Sequence, residues 1–168
     1  VASTYQAASG GGKKLMKRLL DETKNPKVST LPYAFNLFLH ESPLLENGYS
    51  QEEWKMIQET KKILEDDSLQ ISATCVRVPV LRAHSISINV SFEKSFNLEE
   101  IRKCLLNTPS VHLFEDPRGA TPFDATDKEE IYCSRPRIDP SFPNTIDLWV
   151  VGDQLLKGAA LNAVQIAE

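Results

Sequence analysis

Three cysteines in 168 residues (Cys75, Cys104 and Cys133) are odd in number and widely spaced, so a disulfide framework is excluded. No C-x-x-C pair supports a zinc or redox-loop reading, and no metal site is expected. No uncharged run approaches the ~20 apolar residues of a membrane span. Basic residues are not in excess: 19 Lys plus Arg against 23 Asp plus Glu give a net charge of −4, which argues against a nucleic-acid-binding surface. Glycine occurs only seven times, in neither G-x-G-x-x-G nor G-x-x-x-x-G-K-[ST] spacing. No 20–50-residue repeat is visible.

What is present is ordinary: 41% hydrophobic, 8% aromatic and 25% charged residues, close to the averages for globular domains. A chain this long buries roughly 68–70% of its unfolded surface, so one core needs no staple. Few cysteines and no apolar leader fit a reducing compartment, the cytoplasm or a plastid in a plant. The chain opens at Val1, without Met, in what reads as a strand, so a trimmed boundary is expected.

The first segment reads as strand, glycine turn and helix. Leu15, Leu19 and Leu20 are expected on one side of a helix from Lys13 to Lys24, which Asn25-Pro26 should stop. A loop-like passage follows from Leu31 to Tyr49. Ser50 and Glu53 then form a capping box, and Trp54, Ile57, Lys61 and Leu64 continue at helical spacing. Strands are expected over Gln70–Val78 and Ala83–Phe92. In the second, Ile86, Ile88, Val90 and Phe92 alternate with Ser85, Ser87, Asn89 and Ser91, which predicts an apolar face under helices and a serine-rich face free for a second subunit.

Asn97 opens another helix, carrying Leu98, Ile101, Leu105 and Leu106, and Val111–Phe114 is a short strand. Five of the ten prolines lie in residues 115–145, which are expected to be mostly loop. A strand over Thr145–Val151 and a helix over Leu155–Glu168 end the chain. The expected class is α+β: a mixed, largely antiparallel sheet covered by helices on one face.

Few residues here can carry chemistry. His40 and His112 have no suggestive neighbour in sequence. His84 sits at the mouth of the apolar face, with Arg77 upstream across Pro79 and Arg82 two residues before it. It reads either as a satisfied core histidine or as a base beside a carboxylate-binding guanidinium. Glu52 and Lys55 share one face of a helix start, either as solvated charges or as an anion handle. The run Ser9-Gly10-Gly11-Gly12 is a helix-opening turn or a weak phosphate loop. Cys75 lies in an apolar run, and no cysteine has a group beside it that would make it a nucleophile.

Five blocks, in order, resemble the C-terminal half of the aspartate-semialdehyde dehydrogenase family. They are Ser3-Thr4-Tyr5-Gln6-Ala7-Ala8-Ser9-Gly10-Gly11-Gly12, Glu52-Glu53-Trp54-Lys55, Glu59-Thr60-Lys61-Lys62-Ile63-Leu64, Cys75 to His84 and Gly152 to Asn162. Residues 107–145 match loosely. The resemblance implies a fold like the C-terminal domain of glyceraldehyde-3-phosphate dehydrogenase-type enzymes. It divides the chain into a dimerisation and catalytic domain, residues 1–150, and a C-terminal helix, residues 151–168, expected to pack on an NADP-binding domain absent from this chain.

By the same resemblance, His84 is the general acid/base and Gln6 orients the acyl group beside a cysteine that this chain does not contain. Arg77 grips the substrate α-carboxylate, Glu52 meets its ammonium group and Lys55 binds phosphate. Ser9 and Gly10 approach NADP with backbone groups, and Gln154 or Asn162 touches it. The implied reaction is NADPH-dependent reductive dephosphorylation of 4-phospho-L-aspartate to L-aspartate 4-semialdehyde, feeding lysine (through diaminopimelate), methionine and threonine synthesis. The implied assembly is a homodimer that could pair into a tetramer, with no nucleic-acid or membrane partner, and this chain alone is expected to be inactive. A non-catalytic dimerisation module is the alternative. The reductase of N-acetyl-γ-glutamyl phosphate is a weaker one, because its acylated nitrogen needs no Glu52.

Overall fold

The computed structural model describes residues 1–167. Seven strands form one mixed sheet in the order β2-β3-β1-β4-β7-β6-β5: β1 (Ala2–Gln6), β2 (Phe38–Leu39), β3 (Ala73–Arg77), β4 (His84–Ser91), β5 (Val111–Phe114), β6 (Ile131–Ile138) and β7 (Thr145–Gly152). β1 runs parallel to β3 and β5 parallel to β6, while the other four pairings are antiparallel. The α+β expectation therefore holds. The helices are α1 (Gly12–Lys24), α2 (Gln51–Leu64), α3 (Leu98–Asn107), α4 (Pro122–Ala125) and α5 (Leu161–Ala167).

Both long capped helices begin where side chains can satisfy their first N–H groups. Ser50 Oγ accepts from Glu53 N–H, and the Glu53 carboxylate accepts from Ser50 N–H, closing the box that starts α2. Asn97 and Glu100 do the same for α3. Such a cap stabilises a helix by about 1 kcal/mol. Glu53 also accepts from Cys75 N–H at 3.0 Å, so the carboxylate that starts α2 seats it on β3.

In α1, Leu19 is buried beside Tyr33 and Ala8, but Leu20 is exposed. Successive helical residues lie about 100° apart, so adjacent leucines cannot share a narrow apolar stripe. Burying Leu19 contributes about 2 kcal/mol.

Cross-strand register sorts the two sheet faces, because paired residues share a face. Cys75, Thr4, Ile86, Val150 and Cys133 fall on one face. There α2 packs on β3, and α3 packs on β5 and β6, where Leu113 and Cys133 are buried. The centre of this face is less covered than expected. Ile86, Ile88 and Val90 are half-buried and Phe92 is 39% exposed, because the helices sit over the flanking strands.

The serine face is also not wholly free. Ser85 and Ser134 are buried; Ala120 N–H donates to Ser134 Oγ, and Trp149 Nε1 donates to the Ala120 carbonyl. Ala120 and Ala125 pack there against Val151 and Trp149.

Residues 115–145 are mostly loop, as expected, but they also hold α4 and the eight-residue β6, in which Pro136 falls at a register shift between Ser134 and Arg137. A bulge releases one residue from the ladder, which is where a strand tolerates proline. β3 is shorter than expected, and the final helix divides into a π-helical turn at Leu156–Ala160 and α5, with Glu168 outside the described residues.

Candidate functional site

Three strand ends and one helix start meet on the α2 side of the sheet. Thr4, Cys75 and Ile86 share that face, and a strand alternates with period two. Gln6, Arg77 and His84, two residues away in each strand, therefore share it too, at one end of the sheet. Gln6 and Arg77 are direct partners across the parallel pair. Ala83, immediately before His84, is buried with a left-handed φ of 70°, an uncommon conformation for a residue with a Cβ.

His84 Nδ1 accepts the Ala7 N–H at 3.0 Å. A main-chain N–H can only donate, so the neutral ring carries its proton on Nε2. Burial first, and then the Arg77 guanidinium, push the His84 pKa down to about 4, against an Ala83 backbone contact and the charges of Glu52 and Asp153. The ring is thus neutral at pH 7, with Nε2–H as the proton to share. Gly10 lies against that edge: a Cβ there would stand 3.2 Å from His84 Nε2 and 3.5 Å from an Arg77 nitrogen. Close approach is what glycine provides at this position.

Arg77 is 7% exposed. Its one hydrogen bond is to the Ala7 carbonyl at 3.4 Å, its Nε has no partner, and no carboxylate pairs with it among the described residues. Glu52 accepts from Lys55 Nζ at 2.7 Å and from Gln6 Nε2 at 3.4 Å, while Gln6 Oε1 is buried without a partner. Burial works to raise the Glu52 pKa, but Lys55, His40 and Gln6 outweigh it and hold the carboxyl below its usual value.

Ser9 is buried, its N–H donates to the Leu81 carbonyl at 2.9 Å, and its hydroxyl accepts from Gln154 Nε2. The Ser9 N–H is therefore already engaged. Gln154 Oε1 is buried and unpartnered. The structure thus gathers Gln6, Ser9, Gly10, Glu52, Lys55, Arg77, His84 and Gln154, whereas Asn162 lies on α5 with no side-chain hydrogen bond to them among the described residues.

Two residues of the 31–49 passage join the group unannounced. Tyr33 is fully buried with its hydroxyl unpartnered, and burial, against the Arg77 charge, raises its pKa to about 12. His40 is pushed down by burial and by Arg77, against Glu52 and Glu41. Its N–H donates to the Cys75 carbonyl at 2.8 Å, extending the β2–β3 register by one residue. Sequence spacing could signal neither, since His40 is placed by the β2–β3 pairing and Tyr33 by its N–H bond to Glu22 and its packing against α1. Burial pushes the Cys75 and Cys133 thiols up, and Cys104 is exposed on α3. No group of His, Cys, Asp and Glu among the described residues could hold a metal ion.

Among the described residues, a buried guanidinium without a counter-charge, a neutral histidine and a paired Glu–Lys at a helix start thus stand together at one end of the sheet. The chain belongs to the semialdehyde dehydrogenase dimerisation-domain family, whose model matches residues 1–157. Within it, the relatives are aspartate-semialdehyde dehydrogenases, whose C-terminal domain this chain matches.

The enzyme of Prochlorococcus marinus is 54% identical over all of this chain and 52% of its own length, and that of Synechocystis is 46% identical over all of this chain and 53% of its own. The crystal structure of aspartate semialdehyde dehydrogenase II from Vibrio cholerae superposes with a TM-score of 0.94 at 36% identity, over 99% of this chain and 52% of that one. The chain therefore spans about half the length of the relatives it matches. Among the described residues no helix is long and apolar enough to cross a membrane.

Proposed function

We propose that this chain is the substrate-binding, acid–base and dimerisation half of an NADP-dependent aspartate-semialdehyde dehydrogenase of amino-acid biosynthesis (lysine, methionine and threonine), working in a reducing compartment. The carrying observation is Arg77, a buried cation with no counter-charge. A charge held out of water unpaired costs several kcal/mol. A ligand carboxylate, received in a forked pair, removes that cost. The Vibrio cholerae enzyme, 36% identical, has also been solved complexed with ASA, which supports a semialdehyde in this site.

The substrate α-carboxylate sits on Arg77, its ammonium on Glu52, and phosphate on Lys55, whose position just past the first turn of α2 keeps it near the positive end of the helix dipole. Lys55 and Glu52 hold each other in the free chain, so the substrate ammonium on Glu52 and a phosphate on Lys55 together exchange one pair for two. Gln6 orients the acyl group with its unpartnered carbonyl. In this state His84 offers Nε2–H as a hydrogen-bond donor to the oxygen of the tetrahedral intermediate. To take the proton of the attacking thiol, the ring must release the Ala7 N–H and carry its proton on Nδ1, leaving Nε2 free; as imidazolium it then returns that proton from Nε2.

The nucleophile is a thiol outside this chain, since Cys75, Cys104 and Cys133 lie elsewhere or are buried. When bound, NADPH would supply the hydride in the reductive direction and NADP+ would accept it in the oxidative one. The residues present fit the cofactor, because Gln154 Oε1 is a buried acceptor awaiting a donor beside Ser9 and Gly10. The exposed Val164 and Ile166, with Asn162, support seating α5, in the 151–168 segment, against the nucleotide-binding half.

A homodimer accords with the family's character. It would use the part of the sheet left uncovered by α4, with pairing of dimers into tetramers a further step. The acylated-substrate reductase fits less well, because Glu52 would face no cation. A relic module would retain the cost of Arg77 without its ligand.

In the full-length protein, NADP reduction should require both aspartate semialdehyde and phosphate, and the 168-residue chain alone should give none. His84→Asn should lower kcat by about 10²–10⁴ with a smaller change in KM. An unchanged kcat removes His84 from the mechanism.

A further inference from the structure

A carboxylate closed off from solvent stands at the exit of β7. Asp153 is 0% exposed. Its Oδ1 accepts from Leu155 N–H at 3.0 Å, and its Oδ2 accepts from Asp127 N–H at 2.9 Å. Its carbonyl accepts from Leu156 and Lys157 N–H, each at 3.0 Å. Arg82 Nε lies 2.8 Å from Asp153 Oδ2, and Arg82 Nη1 lies 2.7 Å from the exposed Asp127 carboxylate. The Nε approach is not aligned as a hydrogen bond, so charge attraction carries it.

Three segments are tied at this point: the connection entering β4, the turn after α4 and the exit of β7. A buried ion pair is a poor way to obtain stability alone, since apolar packing of the same volume is often as good or better. What the pair does hold is direction. The next residue, Gln154, donates to Ser9 Oγ. Ser9 N–H returns to the Leu81 carbonyl, in the same connection that carries Arg82 and leads to His84. Gly10, beside Ser9, touches the His84 ring edge. The Arg82–Asp153 pair therefore closes a ring of contacts around the unpartnered Gln154 Oε1.

We infer that Arg82 and Asp153 are positioning residues for the cofactor side of the site, fixing the Gln154 amide so that Oε1 is preset to accept an amide N–H of the dinucleotide. The cofactor in this inference rests on the function proposed above; the fixing of the β7 exit does not.

The test uses the full-length protein and NADP itself. By calorimetry, Arg82→Met and Gln154→Ala should each raise the Kd for NADP by about tenfold. The double variant should be no weaker than the worse single, because Arg82 acts through Gln154. The KM for aspartate semialdehyde should stay within about twofold, since that ligand is held elsewhere. Amide exchange at Leu155 and Asp127 should accelerate in Arg82→Met. Effects on Kd that multiply, or exchange rates that do not change, overturn the inference.

If Arg82→Met does not fold, Arg82→Lys carries the test. Lysine keeps the charge but cannot bridge both carboxylates, so a Kd raised by about threefold is expected and a wild-type Kd overturns the inference. Wild-type protein that binds NADP without turning over aspartate semialdehyde would refute the proposed substrate and leave this inference standing. Protein that binds no NADP refutes the cofactor role, and the exchange rates then decide whether the pair fixes the β7 exit.

Discussion

Two buried charges in this domain are treated in opposite ways. Glu22 on α1, 5% exposed, is saturated: Arg18 Nε donates to it at 2.8 Å, Ala34 N–H at 3.2 Å, and Tyr33 N–H as well. It fastens the 31–37 loop to α1, and nothing about it calls for a ligand. Arg77, 7% exposed, has one long hydrogen bond and an orphaned Nε. A buried polar group that is fully paired belongs to the architecture, while one left unpaired is kept for something that arrives later.

That contrast can be broken by substitution, and the largest effect should come at Arg77. In the full-length protein, Arg77→Leu should reduce kcat/KM for aspartate semialdehyde by about 10³ or more, because a desolvated charge pair with substrate is lost. The thermal stability of the chain should meanwhile be unchanged or raised, since an unpaired charge has been removed. Calorimetric unfolding and steady-state kinetics separate the two quantities, and a large fall in stability would place Arg77 with Glu22.

Glu22→Leu should do the reverse. It strands two buried N–H groups and lowers stability by about 3 kcal/mol, while leaving kcat/KM of the folded fraction within about twofold, measurable by urea titration alongside activity.

His84 tests the same distinction through pH. Its folded pKa of about 4 lies below the 6.5 of an unperturbed ring. The unfolded state therefore binds the extra proton in that interval, and folding favours the neutral ring. The contribution to stability is complete above pH 6.5 and is lost as pH falls toward 4, amounting to at most about 3 kcal/mol. His84→Asn should flatten the stability profile between pH 6.5 and 4.5, above the range where most carboxylates titrate. An unaltered slope would mean that His84 is not the group responsible.

The smallest effect is expected at Gly10→Ala. The added Cβ, 3.2 Å from His84 Nε2, forces the ring or the glycine turn to shift by a few tenths of an ångström. That should lower kcat several-fold with a stability loss of about 1 kcal/mol. A wild-type kcat would show that the ring edge is not confined.

Much of this was legible in the chain of letters. Ser50 with Glu53 and Asn97 with Glu100 start helices through contacts three residues apart, so spacing alone announces them. The alternation of β4 correctly set His84 on the face that carries Ile86, because strand parity is a local property. The eight-residue β6 was hidden by its proline, since only the register shift opposite β7 makes room for Pro136. Leu20 was misplaced because two adjacent leucines on α1 were credited to one stripe.

The sequence by itself determined which residue types are available for chemistry, and where helices begin and strands alternate, since those follow from backbone periodicity and contacts within a turn. Tertiary structure alone decided which charges are left without partners. The Ala7 contact with His84 spans 77 positions and the Gln154 contact with Ser9 spans 145. Whether Arg77 is paired, or Asp153 buried, depends on which distant strand ends the sheet brings together, and no local spacing encodes that.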